Sequence, residues 1–261
     1  MSEPLIRAII GALLSAGVAF YALQSRALSR NGAMGAVVSG TIAVAAGWRW
    51  GILLMAFFVS GIALSKLGAR RKMEIAKGIV AKTGERDGWQ VVANGGLFTA
   101  AALASLVSPA AVWPAIGIGA LAASTADTWA TEVGTLFGGE PRSIISGRRV
   151  AAGTSGGVTL AGSAASIGGA AFMAIVAALL EWPVSSYVIV VSGAAGALAD
   201  SIAGALIQER RWCNACSTAT EQTVHVCGTR TKRVGGIAGI DNDVVNLLCS
   251  FVGALVALLM A

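Results

Sequence analysis

The chain has 261 residues, of which 56% are hydrophobic and only 12% are charged. Soluble domains usually carry about 25% charged residues, so the composition excludes an ordinary soluble domain and predicts a polytopic membrane protein. The net charge of +6 is typical of basic cytoplasmic loops. We therefore expect a membrane lipid environment and no nucleic acid partner.

Eight apolar segments are predicted to span the membrane as helices. They lie near residues 5–23, 33–47, 51–65, 91–108, 110–126, 158–180, 184–200 and 244–260. The predicted fold class is all-α: a polytopic transmembrane helix bundle of about eight spans, in a single integral-membrane domain of residues 1–261. A straight span needs about 20 residues, so segment 33–47 is either a tilted span or a re-entrant segment. No small-residue cleavage site follows segment 5–23, and we expect that segment to be retained.

The basic residues are distributed unevenly between the two sides of such a bundle. All Lys and Arg residues except Arg7 and Arg49 fall in alternate loops. Basic residues mark cytoplasmic loops, which predicts that both termini are on the non-cytoplasmic side. The predicted cytoplasmic loops are residues 24–32, 66–90, 127–157 and 201–243. Long loops of mixed charge also predict that the active face is cytoplasmic.

Two apolar segments end on an aspartate in similar sequences. The run "GALAASTADTWA" (119–130) resembles "GAAGALADSIAGA" (193–205), which places Asp127 and Asp200 at one depth. A carboxylate at such a position is costly unless it is paired, hydrated or bound to a metal. Two of them favour Mg²⁺, which prefers carboxylate oxygens and bridges substrate phosphates. Glu132 is a further candidate ligand, provided that the helix breaks after Asp127. The alternative is two solvated helix ends.

Polar residues also precede the fourth apolar segment, in "KTGERDGWQVVANGG" (82–96). Lys82 and Arg86 are candidate catalytic cations. If residues 86–94 are helical, Arg86, Gln90 and Asn94 share one face and could bind a phosphate or headgroup. The alternative is a juxtamembrane face of snorkelling side chains.

Two other loops contribute candidate substrate-binding residues. The run "SGRRVAAGTSGGVT" (146–159) offers Arg148 and a glycine-rich turn, which could bind phosphate or could be an ordinary helix cap. The residues of that turn are Gly153, Thr154, Ser155 and Gly156. The run "GIDNDVVN" (239–246) offers Asp241 and Asp243 as Mg²⁺ ligands, and Asn242 and Asn246 for substrate or nucleotide. The alternative there is a helix cap at Asp243.

One polar segment, "WCNACSTATEQTVHVCG" (212–228), contains three of the four cysteines and the single histidine of the chain. Three thiolates and one imidazole suit tetrahedral zinc, and the first cysteine pair has the usual C-x2-C spacing. The possible zinc ligands are Cys213, Cys216, His225 and Cys227. The alternative is a reduced cytosolic loop with incidental thiols.

Taken together, these motifs resemble the transmembrane protein 19 family, which includes the plant phytyl-phosphate kinase of the tocopherol pathway. The shared motifs are "ADTWATEVG", "KTGERDGWQVVANGG", "GTSGGV", "ADSIAGALIQ" and the C-x2-C…H-x-CG…DND-x-VN series, and they occur in the same order. The start "SRNGAMGAVVSG" (29–40) also matches, and it adds Asn31 to the candidate binding residues. Departures from the pattern are Thr131 before Glu132 and Ala199 before Asp200; both keep the carboxylate.

The resemblance implies an enzyme, a prenyl-phosphate kinase that uses Mg²⁺ and a nucleoside triphosphate, CTP or ATP. Its acceptor would be an isoprenoid monophosphate such as phytyl, geranylgeranyl or farnesyl phosphate. Since we see no transit peptide, we expect a prokaryotic plasma membrane. Two alternatives stay open: a CTP-dependent lipid-alcohol kinase or cytidylyltransferase, and a lipid-phosphate transporter. A zinc-bearing scaffold without nucleotide binding is a further possibility.

Overall fold

The computed structural model describes residues 2–82 and 84–261. Within these ranges the chain forms nine helices and five short strands. The helices are α1 (Glu3–Gln24), α2 (Arg30–Ala46), α3 (Trp48–Lys66), α4 (Ala69–Ala76), α5 (Gly88–Val107), α6 (Val112–Phe137), α7 (Leu160–Leu179), α8 (Ser186–Leu206) and α9 (Asn242–Met260). The strands are β1 (Arg142–Ser143), β2 (Gly157–Val158), β3 (Arg210–Cys213), β4 (Thr218–Thr220) and β5 (Lys232–Gly235).

The eight long helices coincide with the eight predicted apolar segments. Across residues 2–82 and 84–261, six helices are long and apolar enough to cross a membrane: α1, α3, α5, α7, α8 and α9. Of the other two, α2 has 17 residues and α6 carries two carboxylates among its 26. The helical, polytopic membrane class is therefore confirmed. The count of eight spans and the side of the termini stay predictions.

The expectation of an all-α chain is wrong in the loops. Strands β1 and β2 pair antiparallel, and β4, β3 and β5 form a small antiparallel sheet in that order. Backbone inside a bilayer has to pair within helices, whereas loop backbone outside it is free to pair between strands. The three-stranded sheet places Cys213 opposite Thr218, which fixes the start of the cysteine-rich loop.

Helix α6 lies at the centre of the bundle and contacts α3, α5, α7, α8 and α9. Small residues allow this close packing: a Cβ on Gly119 would lie 2.4 Å from the carbonyl oxygen of Gly253 on α9. Packing through small residues and interhelical hydrogen bonds is how helices associate where lipid removes the hydrophobic driving force. Ser124 donates to the Asn94 carbonyl at 2.8 Å, and Ser250 donates to the Ala93 carbonyl at 2.9 Å. These bonds join α5, α6 and α9.

Hydrogen bonds also join the four long loops at one end of the bundle. The Ser29 amide donates to the Arg86 carbonyl at 3.0 Å, and the Glu221 amide donates to the Ile79 carbonyl at 2.7 Å. The Ser155 hydroxyl of the 127–157 loop donates to the Glu221 carboxylate. At the opposite end the short loops meet, where Arg49 donates to the Glu181 carbonyl at 3.0 Å. The long loops that we predict to be cytoplasmic therefore form one connected surface.

Two helices extend beyond their apolar segments. Helix α6 continues past Asp127 to Phe137, and within this extension Trp129 stacks on Phe172 of α7 with ring centroids 5.4 Å apart. Helix α8 continues past Asp200 to Leu206. Asp127 and Asp200 therefore lie within helices rather than at their ends. Helix α6 has no break after Asp127, so the condition under which Glu132 could join Asp127 as a ligand is not met.

Candidate functional site

A cavity of about 1130 Å³ lies between the helices and opens toward the long loops. Its charged and amide side chains come from the loop side of the helices. Its apolar wall comes from α1 and α3 and includes Leu14, Val18, Leu54, Met55, Phe58 and Ile62. A concave site of this size with an apolar wall and a few convergent polar groups is the usual form of a small-molecule site.

Asp127 and Asp200 meet at the polar side of this cavity. One turn before them, a Cβ on Gly196 would lie 2.3 Å from the Cβ of Ala123. Because Gly196 and Ala123 are small, α6 and α8 approach closely. The carboxyl groups of Asp127 and Asp200 therefore come within hydrogen-bonding reach of each other. The Oδ1 atom of Asp200 is buried and has no hydrogen-bond partner among the described residues. The predicted pairing of the two aspartates is thus present in the structure.

The donor set of this pair fits Mg²⁺. Mg²⁺ takes one or two carboxylates, keeps several waters and binds substrate phosphates. Two adjacent carboxylates repel each other unless a proton or a cation lies between them, and the unpartnered Asp200 oxygen is a ready ligand. Asn242 and Asn246, from the start of α9, line the same cavity and add amide groups.

The remaining acidic candidates have partners of their own. Asp241 caps α9 by accepting the amides of Asp243 and Val244, each at 3.1 Å. The cap is therefore Asp241, and the alternative of a cap at Asp243 is wrong. Asp243 is buried and forms an ion pair with Lys82. Both carboxylates already accept hydrogen bonds from protein groups, and their assignment to Mg²⁺ stays a prediction.

Lys82 lines the cavity and joins α5 to α9. Its ammonium lies 2.8 Å from Asp87 and also contacts Asp243. Burial opposes the charge, but the hydrogen bonds to Asp243 and Asp87 outweigh it and raise the pKa of Lys82 above its ordinary value. Lys82 therefore stays cationic at the cavity edge.

Helix α5 begins at Gly88, because Asp87 and Gln90 form a capping box. The condition that residues 86–94 are all helical is therefore not met, because Arg86 lies before the helix. Arg86, Gln90 and Asn94 nevertheless all line the cavity. Arg86 approaches α3 at Gly61, where a Cβ would lie 3.1 Å from its guanidinium.

Asn31 lies beside this segment and outside the cavity lining. Its side-chain oxygen accepts the Gly88 amide at 3.3 Å and the Ser29 hydroxyl. Asn31 thus supports the start of α5, and its predicted contact with substrate stays a prediction.

Glu132 accepts hydrogen bonds from Lys72 and from the Ser65 hydroxyl. Lys72 is buried and also donates to the Leu64 carbonyl at 2.6 Å. Because α6 is unbroken, Glu132 points to a different part of the cavity wall than Asp127. Sequence reasoning missed Lys72 and Ser65, since a lysine within the basic 66–77 run carries no distinguishing signal.

Replacing Lys72 by Met is expected to lower the free energy of unfolding by about 1.5–3 kcal/mol, because a charged hydrogen-bond partner of Glu132 is lost. The double variant Lys72→Met/Glu132→Gln should recover part of that loss. Thermal unfolding in detergent measures both, with the exposed Lys66→Met as a matched control. Equal losses in Lys72→Met and Lys66→Met would contradict the pairing.

The 153–156 turn packs on α8 and lines the cavity. Gly156 has a φ of +74°, and a Cβ there would lie 2.4 Å from Ala205, so this turn requires glycine. Thr159, not the turn itself, caps α7 by accepting the Gly162 amide at 3.0 Å. Arg148 lies outside the cavity lining, on an exposed turn between β1 and β2.

Two cavity residues that sequence reasoning missed lie next to this turn. Glu221 accepts from the Ser155 hydroxyl, and it accepts from Gln208 at 2.8 Å. Burial raises the pKa of the Glu221 carboxyl, although Ser155, the Ala81 amide and Gln208 all donate to it. Glu221 thereby links the 153–156 turn, the segment that follows α8 and the 79–81 segment.

The four predicted zinc ligands are brought together. Their donor atoms all lie within 4.8 Å of one another. The Cys213 and Cys227 sulfurs are 3.6 Å apart, and His225 Nδ1 is 3.3 Å from the Cys227 sulfur. Hydrogen bonds from Thr229 and His225 lower the pKa of the Cys227 thiol to about 5. We call these residues the cysteine–histidine cluster: Cys213, Cys216, His225 and Cys227.

Comparisons with known proteins agree with this architecture. Residues 13–254 match the family model described as integral membrane protein DUF92. The chain is 30% identical to Protein PGR of Arabidopsis thaliana in an alignment 288 positions long, which covers 96% of each chain. It is 31% identical to an uncharacterized membrane protein of Methanocaldococcus jannaschii, over 91% of this chain and 95% of the relative.

A shorter match covers about half of the chain. An uncharacterized membrane protein of Synechocystis is 31% identical over 49% of this chain and 51% of its own length. No solved structure matches the chain. The full-length matches confirm the family predicted from the motifs, and the chain belongs to the DUF92 family of integral membrane proteins.

Proposed function

We propose that the protein transfers the γ-phosphate of a nucleoside triphosphate to an isoprenoid monophosphate and so forms the diphosphate. The observation that carries this proposal is the Asp127–Asp200 pair, with its unpartnered oxygen, in a cavity that also has an apolar wall. A phosphate site and a hydrocarbon site in one cavity suit a substrate that has a phosphate head and an apolar tail.

Asp127 and Asp200 would hold Mg²⁺, with Asn242 and Asn246 near it. Mg²⁺ held there would supply the positive charge that offsets the negative charge of the donor phosphates. The chain itself keeps the two carboxylates in place through the packing of Gly196 on Ala123. Rigid helices position such ligands more accurately than loops do.

Lys82 and Arg86 supply the fixed positive charge in this proposal. Both side chains line the cavity, and the carboxylates of Asp87 and Asp243 orient the ammonium of Lys82. Cations held in advance stabilise charge in the transition state without reorganising during the reaction. The 153–156 turn and the amides of Gln90 and Asn94 would add hydrogen bonds to phosphate oxygens.

The reaction needs no covalent intermediate on the protein. An oxygen of the acceptor monophosphate attacks the γ-phosphorus, the bond to the β,γ-bridging oxygen breaks, and the nucleoside diphosphate leaves. A phosphate monoester has a second pKa near 6, so the acceptor is largely dianionic at neutral pH without a general base. Phosphoryl transfer of this kind depends on positioning and electrostatics.

The apolar wall of α1 and α3 would receive the isoprenoid tail. Because nucleotides are cytoplasmic, the long-loop end would face the cytoplasm, in agreement with the distribution of basic residues. We propose a prokaryotic plasma membrane as the location and CTP as the preferred donor.

An activity matrix tests the proposal. Full-length protein in nanodiscs is incubated with CTP, ATP, GTP or UTP and with phytyl, farnesyl or geranylgeranyl monophosphate, and products are identified by mass spectrometry. We expect a prenyl diphosphate with at least one pair, and only when Mg²⁺ is present. No diphosphate from any pair, with protein that unfolds cooperatively, would overturn the proposal.

The reaction products and one transport assay distinguish the alternatives. A cytidylyltransferase would release pyrophosphate, and a lipid-alcohol kinase would phosphorylate the prenyl alcohols that are included as controls. Movement of prenyl phosphate across proteoliposomes without nucleotide hydrolysis would identify a transporter.

A further inference from the structure

The cysteine–histidine cluster has the geometry of a closed tetrahedral metal site. Two sulfurs bound at about 2.3 Å to a tetrahedral zinc ion lie about 3.8 Å apart, and the Cys213 and Cys227 sulfurs are 3.6 Å apart. One donor from each of the four residues lies within 4.8 Å of the others, and the thiols are free. Four protein ligands leave no open position, which is typical of structural zinc rather than catalytic zinc.

The cluster lies against the 76–81 segment through its histidine. A Cβ on Gly78 would lie 2.9 Å from His225 Nε2, and Gly78 has a φ of +82°. The other ring nitrogen, Nδ1, faces the Cys227 sulfur. The His225 imidazole therefore lies between the Cys227 sulfur on one side and the backbone of Gly78 on the other.

Residues 221 and 222 also form hydrogen bonds with the 79–81 segment. The Glu221 amide donates to the Ile79 carbonyl at 2.7 Å, and the Ala81 amide donates to the Glu221 carboxylate at 3.2 Å. Gln222 donates to the Val80 carbonyl at 3.1 Å. Val80 and Glu221 line the cavity, so the loop that carries the cluster forms part of the cavity rim.

We propose that the cysteine–histidine cluster binds one structural zinc ion, which holds the 213–231 loop against the 79–81 segment at the rim of the cavity. The loop has little apolar core of its own, since most of its residues between 213 and 231 are exposed or partly exposed. Metal ligation supplies the folding free energy that such a loop lacks. The metal lies outside the cavity and touches no residue of the Asp127–Asp200 pair.

Metal analysis of the full-length protein tests the first half of the proposal. The protein is purified without chelators and without metal-affinity resin. Elemental mass spectrometry should then find about one zinc per chain. The variants Cys216→Ser and Cys227→Ser should contain close to none. Cys249→Ser is the matched control, since Cys249 is buried in α9, and it should retain the wild-type zinc content. Replacement by Co²⁺ should give the visible absorption of a tetrahedral thiolate site.

Hydrogen exchange tests the second half. Removal of zinc from the wild type, or Cys216→Ser, should make the amides of Ala81 and Glu221 exchange at least about tenfold faster. The amides of Trp182 and Val184 at the opposite end of the bundle provide the internal control and should be unchanged.

Three results would overturn the inference. They are wild-type protein without zinc, zinc that persists in both cysteine variants, and iron in place of zinc. Zinc loss with unchanged exchange at Ala81 and Glu221 would overturn the bracing role. None of these measurements requires turnover, so their failure and the failure of the proposed kinase activity are distinguishable.

Discussion

The variant Asp200→Asn should lose phosphoryl transfer by roughly 10³-fold or more, which is about 4 kcal/mol of transition-state stabilisation. Asn keeps the size of the side chain but removes the charge of the oxygen that has no partner among the described residues. Asp127→Asn should have a similar effect, because either substitution leaves one carboxylate to hold the cation. Initial rates at saturating donor and acceptor measure the loss.

Stability distinguishes this role from a structural one. In the absence of Mg²⁺ the two carboxylates contact each other and like charges repel, so Asp200→Asn should unfold at the same temperature as the wild type or a higher one. Added Mg²⁺ and nucleotide should raise the unfolding temperature of the wild type much more than that of either variant. Functional sites often carry such a cost in stability.

The exposed pair of Glu140 and Arg149 offers a matched control. Glu140→Gln makes the same chemical change at a surface ion pair, where both side chains are 70% exposed, and it should leave the rate within about twofold of the wild type. Full activity in Asp200→Asn would remove Asp200 from the metal site. Loss of activity together with a large loss of stability would instead point to misfolding.

The second large effect concerns the packing of α6 on α9. Gly119→Val should destabilise the protein by roughly 3 kcal/mol or more, because the new side chain meets the carbonyl oxygen of Gly253 at 2.4 Å and Ala257 at 2.5 Å. The Gly253 carbonyl and the Ala257 side chain belong to α9, so neither can move away without a shift of the whole helix. By the usual scaling, the unfolding temperature should fall by about 6–12 °C.

Gly17→Val is the matched control for this substitution. Gly17 lies on the exposed face of α1, and a Cβ there would meet nothing within 4 Å. Both variants make the same exchange within a helix, so intrinsic helix propensity cancels between them. Fluorescence-detected size exclusion after heating measures both. If the two variants unfold at the same temperature, close packing of α6 on α9 does not limit stability.

Local sequence patterns were sufficient for part of the site. The repeated Ala-Asp ending predicted the meeting of Asp127 and Asp200, because small residues one turn earlier allow the helices to approach. The C-x2-C and H-x-C spacings likewise predicted the cysteine–histidine cluster, whose members lie within 15 residues of one another in the chain. The aspartate pair could be predicted from two similar stretches of sequence, and the cysteine–histidine cluster from one short stretch.

Partners that are distant in sequence could not be predicted in this way. Lys82 pairs with Asp243 across 161 residues, and Glu132 pairs with Lys72 across 60. Charge alone does not select among the many basic residues of the long loops. For the same reason Asp241 and Asp243 were predicted together as ligands, although one caps α9 and the other forms an ion pair with Lys82.

The long separation between Lys82 and Asp243 also bears on biosynthesis. A ribosome makes the chain from its N-terminus, so Lys82 is synthesised well before α9 has been translated. Until then the cavity lacks Asn242, Asn246 and the carboxylate that orients Lys82. A nascent chain that contains the two aspartates therefore cannot assemble the complete polar site, and nucleotide consumption would begin only after the last helix has been inserted.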